Sequence, residues 1–346
     1  MRFAAGLHAH GHEPMLVATR DWPAQAWAHG AITRVPGGTP TSFAAAVRTM
    51  RQHLPCDQMF SLERIWSCDV YRAGDGVHAA WLERRAATEP RWRSLFRSWQ
   101  PKHRALLEIE RALFTGGAAR IVVNSRMVAN EIQRHFGTHA KRLHLVYNGY
   151  DLPAHESTES PLHGREATRA MLHMPVDAMM ILFTGSGWER KGLGDAIAAL
   201  RILDNPNLHM VVAGSGKMRP EFHHPRVHFP GPVLDMAPLY AAADVFVLPT
   251  LYDPFSNACL EAARHGLPVI TSTANGFAEL IEEEIHGHIL KPGDVDELAA
   301  AIDYWSAGAR ALEARGLCAK NVARFTIAAN VEATLNAVIG KSAMPV

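Results

Sequence analysis

Short apolar runs alternate with stretches of helical period along most of this chain. MMILFTGS (179–186) is a nearly continuous apolar run, the way a strand buried on both faces reads. It leads into GLGDAIAALRIL, where Leu193, Ala196, Ile197 and Leu200 fall at i, i+3, i+4 and i+7 on one helix face. The rhythm continues as strand HMVVAGSG, short strand VHFPGP, helix MAPLYAAA, strand DVFVLPT, helix NACLEAARHG and strand PVITST. Such alternation predicts parallel sheets with crossover helices, an α/β fold. The first half is less regular, with PMLVAT, AARIVVNS and LHLVYN as its strands.

A boundary falls near Tyr150, because the following LPAHESTESPLHGRE is polar, rich in Pro and Ser, and suits a linker or surface loop. The expected division is 1–150, 151–330, and a C-terminal helix and tail over 331–346. The opening is irregular. RFAAGLHAHGH reads as an amphipathic helix, and PMLVATR follows as a strand. A dinucleotide-binding type of half begins instead with a strand and a glycine-rich turn before that helix. The first domain therefore lacks its first strand and glycine loop. Losing a central strand leaves backbone groups without partners, so Met1 is expected to be an internal methionine with roughly 20–30 residues upstream.

Composition supports two ordinary domains: of 346 residues, 48% are hydrophobic and 20% charged. The four cysteines have no CxxC spacing, which argues against a disulfide framework or a zinc site and fits a reduced, cytoplasmic setting. The start does not read as a signal peptide, and no apolar run nears the ~20 residues of a membrane span. The net charge of +1 hides an asymmetry. Residues 1–150 hold 20 Lys and Arg against 11 Asp and Glu, and the remainder 15 against 23. A basic half suits nucleic acid, an anionic membrane or an acidic substrate.

Four stretches of the second half carry chemistry. FTGSGWERKGL places Gly185, Gly187 and Gly192 around Arg190 and Lys191, between a strand and a helix. Glycines let backbone approach a ligand, a helix N-terminus favours anions, and two cations add charge. That suits a diphosphate, without the Walker pattern; an exposed Arg-Lys surface loop would look the same. VVAGSGK ends a strand in Gly214-Ser215-Gly216, where open α/β sheets bind ligands. VHFPGPV, with Gly231 and Val233, offers backbone to a flat base. In YDPFSNACLE, Asp253 and Glu261 flank a strand-to-helix turn, with Gly276, Phe277 and Ala278 in a further loop. Paired sugar hydroxyls suit carboxylate acceptors, although an acid beside a helix start also favours the helix dipole by itself.

RKGL, AGSG, FPGPV and AADVFVLPTLYDPFSNACLEAARHGLPVITSTANGFAEL, in that order, resemble the donor half of family-4 retaining glycosyltransferases. Asp253, seven residues, then Glu261 matches that family's hallmark pair. Within the family the chain is most similar to the lipopolysaccharide core glucosyltransferase I group, through CDVYRAGDGVHAAWLERR and the helix-strand opening. The resemblance implies a GT-B fold, two Rossmann-like doubly wound parallel-sheet domains facing a cleft. It implies that Arg190 and Lys191 bind the donor diphosphate and that Glu261 holds the ribose hydroxyls. Asp253 would touch the transferred sugar, and the amides of Gly276–Ala278 the sugar and phosphate. Gly187 and Gly214 would admit the donor, and Gly231 and Val233 would line the base. It also implies metal-independent transfer, with no cofactor beyond the nucleotide-diphosphate sugar as co-substrate. The family often has Glu where Asp253 stands, which leaves sugar preference open.

On the acceptor side, Asp75 and His78 in CDVYRAGDGVH would contact the transferred sugar or assist the acceptor hydroxyl. Read as residues alone, Asp75-Gly76 is equally a turn and His78 a packed side chain. The segment Arg84–Arg104 carries seven Lys and Arg with Trp92, Phe96 and Trp99 interleaved. It suits either an anionic membrane surface or a solvated helix packing its tryptophans inward; no nucleic-acid-binding fold accompanies it, so nucleic acid is not an expected partner. His8, His10 and His12 read as solvated surface. The expectation is a hexosyltransferase, with glucose and UDP foremost, acting on a glycan or lipid-linked acceptor, cytoplasmic and peripheral at the inner face of the membrane. The alternatives are a non-catalytic nucleotide-sugar binder and an epimerase or hydrolase on the same fold.

Overall fold

The structure is a computed structural model that describes residues 2–23, 27–88, 100–152, 161–175 and 177–339. Contacts divide the chain into two compact units, one of Met1–Asn148 with Ile327–Val346 and the other of Gly149–Thr326. Every strand pairing in both units is parallel.

In the first unit, β1 (Leu16–Thr19) pairs with β2 (Ile32–Val35). β3 (Phe60–Ser61), β4 (Cys68–Arg72), β5 (Ala118–Val123) and β6 (Leu143–Leu145) form a separate four-stranded sheet in that order. The chain reaches β1 after the helix Arg2–Ala9 and a turn in which Gly11 takes a φ of 80°. His8, His10 and His12 are exposed, and His10 Nδ1 meets the Gly6 carbonyl at 2.8 Å. The C-terminal helix begins at Ile327, ahead of the expected 331, and runs to Ile339. It belongs to this unit, where Ala337 and Val338 join Val70, Val122 and Val146 in the core. A Cβ on Gly6 would lie 2.2 Å from Val331 Cγ1, so small size at Gly6 lets the first and last helices touch.

In the second unit, β7 (Met179–Thr184), β8 (Leu208–Ala213), β9 (Val227–Gly231), β10 (Val245–Leu248), β11 (Val269–Ser272) and β12 (Gly287–Leu290) form one sheet. Its order is β12-β11-β10-β7-β8-β9. The chain starts at the centre, runs outward through β8 and β9, returns to β10 beside β7, and runs outward the other way. The point of reversal lies between β7 and β10, and at such a switch point the loops leaving the strand ends part to leave room for a ligand. β10 and β11 are buried along their whole length, which is why they read as unbroken apolar runs. Helix Leu193–Leu203 packs on Val295–Ser306, and Ala237–Ala242 on Pro161–Met171. That last helix absorbs the end of the expected linker; of LPAHESTESPLHGRE, residues 153–160 lie outside the described residues. No helix among the described residues is long and apolar enough to cross a membrane.

Candidate functional site

The two loops that leave β7 and β10 are knitted together. After β7, Gly187 caps a one-turn helix, Trp188–Lys191, with left-handed φ of 71°, and Gly192 follows with φ of 79°. A Cβ on Gly192 would lie 2.2 Å from the Pro249 carbonyl oxygen. Only glycine meets both that conformation and that approach. The Arg190 carbonyl accepts from Leu251 N at 2.8 Å and from Thr250 Oγ1 at 2.9 Å. The cations thus stand on a single helical turn ahead of the long helix, rather than in a loop before it.

Arg190 and Lys191 both face the β10 loop. Lys191 Nζ donates to Asp253 Oδ2 at 2.5 Å, with the two side chains 11% and 10% exposed. Arg190 Nη1 donates to the Tyr252 carbonyl at 2.7 Å and lies 3.9 Å from Asp253 Oδ2. A nearly buried ion pair of this kind keeps two charges at the switch point, and losing either partner leaves the other desolvated and uncompensated.

The neighbouring strand ends complete the rim. Gly214, after β8, has φ of 124° and would place a Cβ 2.3 Å from the Gly185 carbonyl oxygen. Its amide donates to the Gly231 carbonyl at 2.9 Å. Gly231 closes β9 in a left-handed conformation, and Val233 lies half-buried just beyond.

The loop Gly276–Ala278 departs from expectation. Gly276 N donates to the Asp253 carbonyl at 3.0 Å, Phe277 N to Asn275 Oδ1 at 3.1 Å, and Ala278 N to the Asn275 carbonyl at 2.9 Å. These amides, expected to serve a ligand, are engaged within the chain. The Phe277 ring is buried against Phe255, with centroids 5.8 Å apart. The brace here is Asn275, which sequence reasoning missed. Its Oδ1 also accepts from Ser256 N at 3.2 Å, and its Nδ2 donates to Thr271 Oγ1 at 2.9 Å. It ties this loop to the start of the helix Asn257–Arg264, on whose second turn Glu261 sits half-buried. Glu261 Oε2 accepts from Tyr240 Oη at 3.0 Å. Tyr240 was also missed; in MAPLYAAA it looks like any buried helix position.

Asp75 and His78 belong to the first unit, beyond the end of β4. Their loop hangs on two residues the sequence reading passed over. Glu110, fully buried on the helix Pro101–Ala112, accepts from His78 N at 2.6 Å, Ala79 N at 3.2 Å and Arg64 Nε at 3.1 Å. It caps the helix His78–Thr88 from a different element. Arg64 Nη2 donates to the Gly76 carbonyl at 2.9 Å, and its Nη1 lies 3.6 Å from the exposed Asp75 carboxylate. Burial raises the Glu110 pKa, against the lowering pull of Arg64 and the two amides. The available signal was an acid among the apolar positions of LLEIERALF, which holds both Glu108 and Glu110. His78 Nε2 and His103 Nδ1 are 2.9 Å apart, with the rings stacked. Burial, then Arg64 and His103, push the His78 pKa down to about 4, so its imidazole is neutral at pH 7. The helices His78–Thr88, Pro101–Ala112 and Arg126–Phe136 also line an open hollow of about 470 Å³, through Ala79, Leu82, Glu83, Leu107, Arg134 and His135. Of the basic segment, Arg84, Arg85, Lys102 and Arg104 are described; Trp92, Phe96 and Trp99 lie outside the described residues.

A family model described as Glycosyltransferase Family 4 matches residues 1–153, and one described as Glycosyl transferases group 1 matches residues 178–307. An uncharacterized glycosyltransferase of Methanocaldococcus jannaschii is 30% identical over 205 residues, 55% of this chain and 52% of that protein. The chain thus spans about half the length of that relative. The lipopolysaccharide glucosyltransferase WaaG of Escherichia coli K12 is 25% identical over 307 residues, 84% of this chain and 80% of WaaG. The crystal structure of WaaG, a glycosyltransferase involved in lipopolysaccharide biosynthesis, superposes with a TM-score of 0.81 at 22% identity, covering 98% of this chain and 95% of that one. Anabaena HepE, solved in complex with UDP and glucose, gives a TM-score of 0.68 at 15% identity over 99% of this chain and 95% of its own. At these identities the superpositions speak for the fold.

Proposed function

The chain belongs to the glycosyltransferases of group 1 and family 4 and has their GT-B fold, and from that premise we propose that it is a retaining hexosyltransferase. It takes a nucleotide-diphosphate hexose, UDP-glucose foremost, and passes the sugar to a glycan or glycolipid acceptor of the lipopolysaccharide-core kind. The observation that carries this reading is the placement of Arg190, Lys191 and Asp253 on the two loops beside the switch point.

The donor diphosphate lies against Arg190 and Lys191. Asp253 then exchanges part of its contact with Lys191 for hydroxyls of the transferred sugar. Glu261 holds the ribose diol. As the bond from the sugar's anomeric carbon to the phosphate oxygen breaks, the two cations stabilise the charge that develops on the diphosphate, so no metal ion is required. The acceptor oxygen bonds to the same face of that carbon, and its proton passes to the departing phosphate. The first unit supplies acceptor recognition. Its His78, neutral at pH 7, acts as a hydrogen-bonding group rather than as a cation. Its basic character and the segment Arg84–Arg104 support a position at the cytoplasmic, anionic face of a membrane.

The test is a panel of UDP-, GDP- and ADP-hexoses, offered with a core-type glycolipid acceptor, with and without a chelator, and read by mass spectrometry. One donor should yield an acceptor heavier by one hexose at equal rate in both arms. Free sugar or an epimer as the sole product would overturn the reading, as would donor binding without any turnover.

A further inference from the structure

Glu261 reaches its position on a helix of eight residues, and its side chain has three torsions to fix before it can grip a ligand. Ordering such a chain costs rotamer entropy. A partner that fixes the carboxylate beforehand takes that cost out of the binding step. Tyr240 is placed to do so. Its hydroxyl donates to Glu261 Oε2 at 3.0 Å. Its ring is 1% exposed, stacks on His265 with centroids 5.0 Å apart at 19°, and leans on Phe246 at 6.2 Å.

The element beneath is equally constrained. Tyr240 sits on the short helix Ala237–Ala242, whose carboxyl end is gripped by arginines from two other helices. Arg165 Nη1 donates to the carbonyls of Ala241, Ala242 and Ala243 at 3.2, 2.8 and 3.0 Å, and Arg315 Nη1 to that of Ala243 at 3.0 Å. Arg315 Nη2 also reaches the His265 carbonyl at 3.3 Å. Arg315 therefore fixes both the helix that carries the tyrosine and the residue its ring stacks on, and Arg165 secures the helix end alone. Burial and the adjacent Glu261 raise the Tyr240 pKa, so the hydroxyl stays protonated and remains a donor at any working pH.

We infer that Tyr240 is a positioning residue for donor recognition, holding the Glu261 carboxylate in the orientation that receives the ribose hydroxyls of a nucleoside diphosphate. A carboxylate offers about four acceptor sites, so the tyrosine hydroxyl takes one and a vicinal diol two more. The inference rests on the proposed donor role of Glu261. Tyr240 touches no substrate; it acts through the acid.

The test is calorimetric titration of the full chain with UDP and with 2′,3′-dideoxy-UDP, and with the GDP and ADP pairs in parallel. Tyr240→Phe, which keeps the buried ring, should weaken the preferred diphosphate about 5- to 10-fold. For the dideoxy analogue the change should stay under about twofold, because the acid then has no diol to orient. In a Glu261→Ala background the Phe substitution should add no further loss, as a double-mutant cycle requires of residues that act as one unit. Equal loss for both analogues, or an undiminished loss in the Glu261→Ala background, overturns the inference and makes Tyr240 a packing residue. Unchanged affinity in Tyr240→Phe overturns it as well. If wild type binds none of the three diphosphates, the donor reading falls and the inference with it.

Discussion

Asp253 was readable as an acid at a strand-to-helix turn, but its partner was not. The structure gives it Lys191, in a pair about one-tenth exposed on each side. Sixty-two positions separate the two residues, and only the topology that sets β10 beside β7 brings them together. The consequence is measurable. Asp253→Ala leaves a desolvated ammonium and should cost about 3–5 kcal/mol in urea unfolding. Asp253→Asn keeps an acceptor for Lys191 and should cost about 1–2 kcal/mol, while transfer falls sharply in both. Negligible stability losses in both would mean the pair is solvated and unimportant to the fold. His78 makes a second residue-scale prediction. Its pKa falls from 6.5 to about 4 on folding. Between these values the unfolded chain binds the proton more readily, so this residue's contribution to stability is complete above about pH 6.5 and is lost as the pH falls toward 4. The melting temperature of wild type should therefore drop over that window more than that of His78→Asn. Parallel curves for the two proteins would remove the effect. Neither Glu110 nor Arg64 could have been assigned to His78 from sequence, since the cap crosses from one helix to another.

At the scale of elements, the long apolar runs and the helix Leu193–Leu203 declared themselves by period, because both faces of the central strands are buried. β2, β3 and β12 did not. β3 is two residues long, and β2 and β12 are four-residue strands with half-buried positions at their sheet margins, too short to show a period. The single turn Trp188–Lys191 was also invisible, since glycines at both ends mask a helix of four residues. Those glycines matter to the site. Gly192→Ala meets the Pro249 carbonyl oxygen at 2.2 Å and imposes a left-handed conformation on alanine. It should lower stability by about 2–4 kcal/mol and weaken UDP binding with it, because the strained peptide follows Lys191 directly. Thermal melts and calorimetry check both; a variant of wild-type stability would mean that the two loops can part without cost.

At the scale of the molecule, the charge asymmetry and the break near Tyr150 made two bodies legible. They did not reveal that the chain's last helix returns to the first. A helix after the second body reads in sequence as an appendage; its destination depends on Val70, Val122 and Val146, which lie far upstream in the first unit. Val338 is 7% exposed in that cluster, and Val338→Asp buries a charge without a partner, at about 3 kcal/mol or more. In scanning calorimetry the substitution should lower one transition. Under the proposed donor role, UDP should raise the other, because a ligand stabilises the unit that binds it. A single transition shifted by both would show instead that the two units unfold as one. The proposed function rests on a donor site at the switch point of the second sheet, and its most direct measurement is a crystal structure of the chain with UDP. Phosphate density is expected against Arg190 and Lys191, with the ribose hydroxyls within hydrogen-bond distance of Glu261; a nucleotide bound elsewhere, with these three side chains untouched, would contradict the proposed donor site.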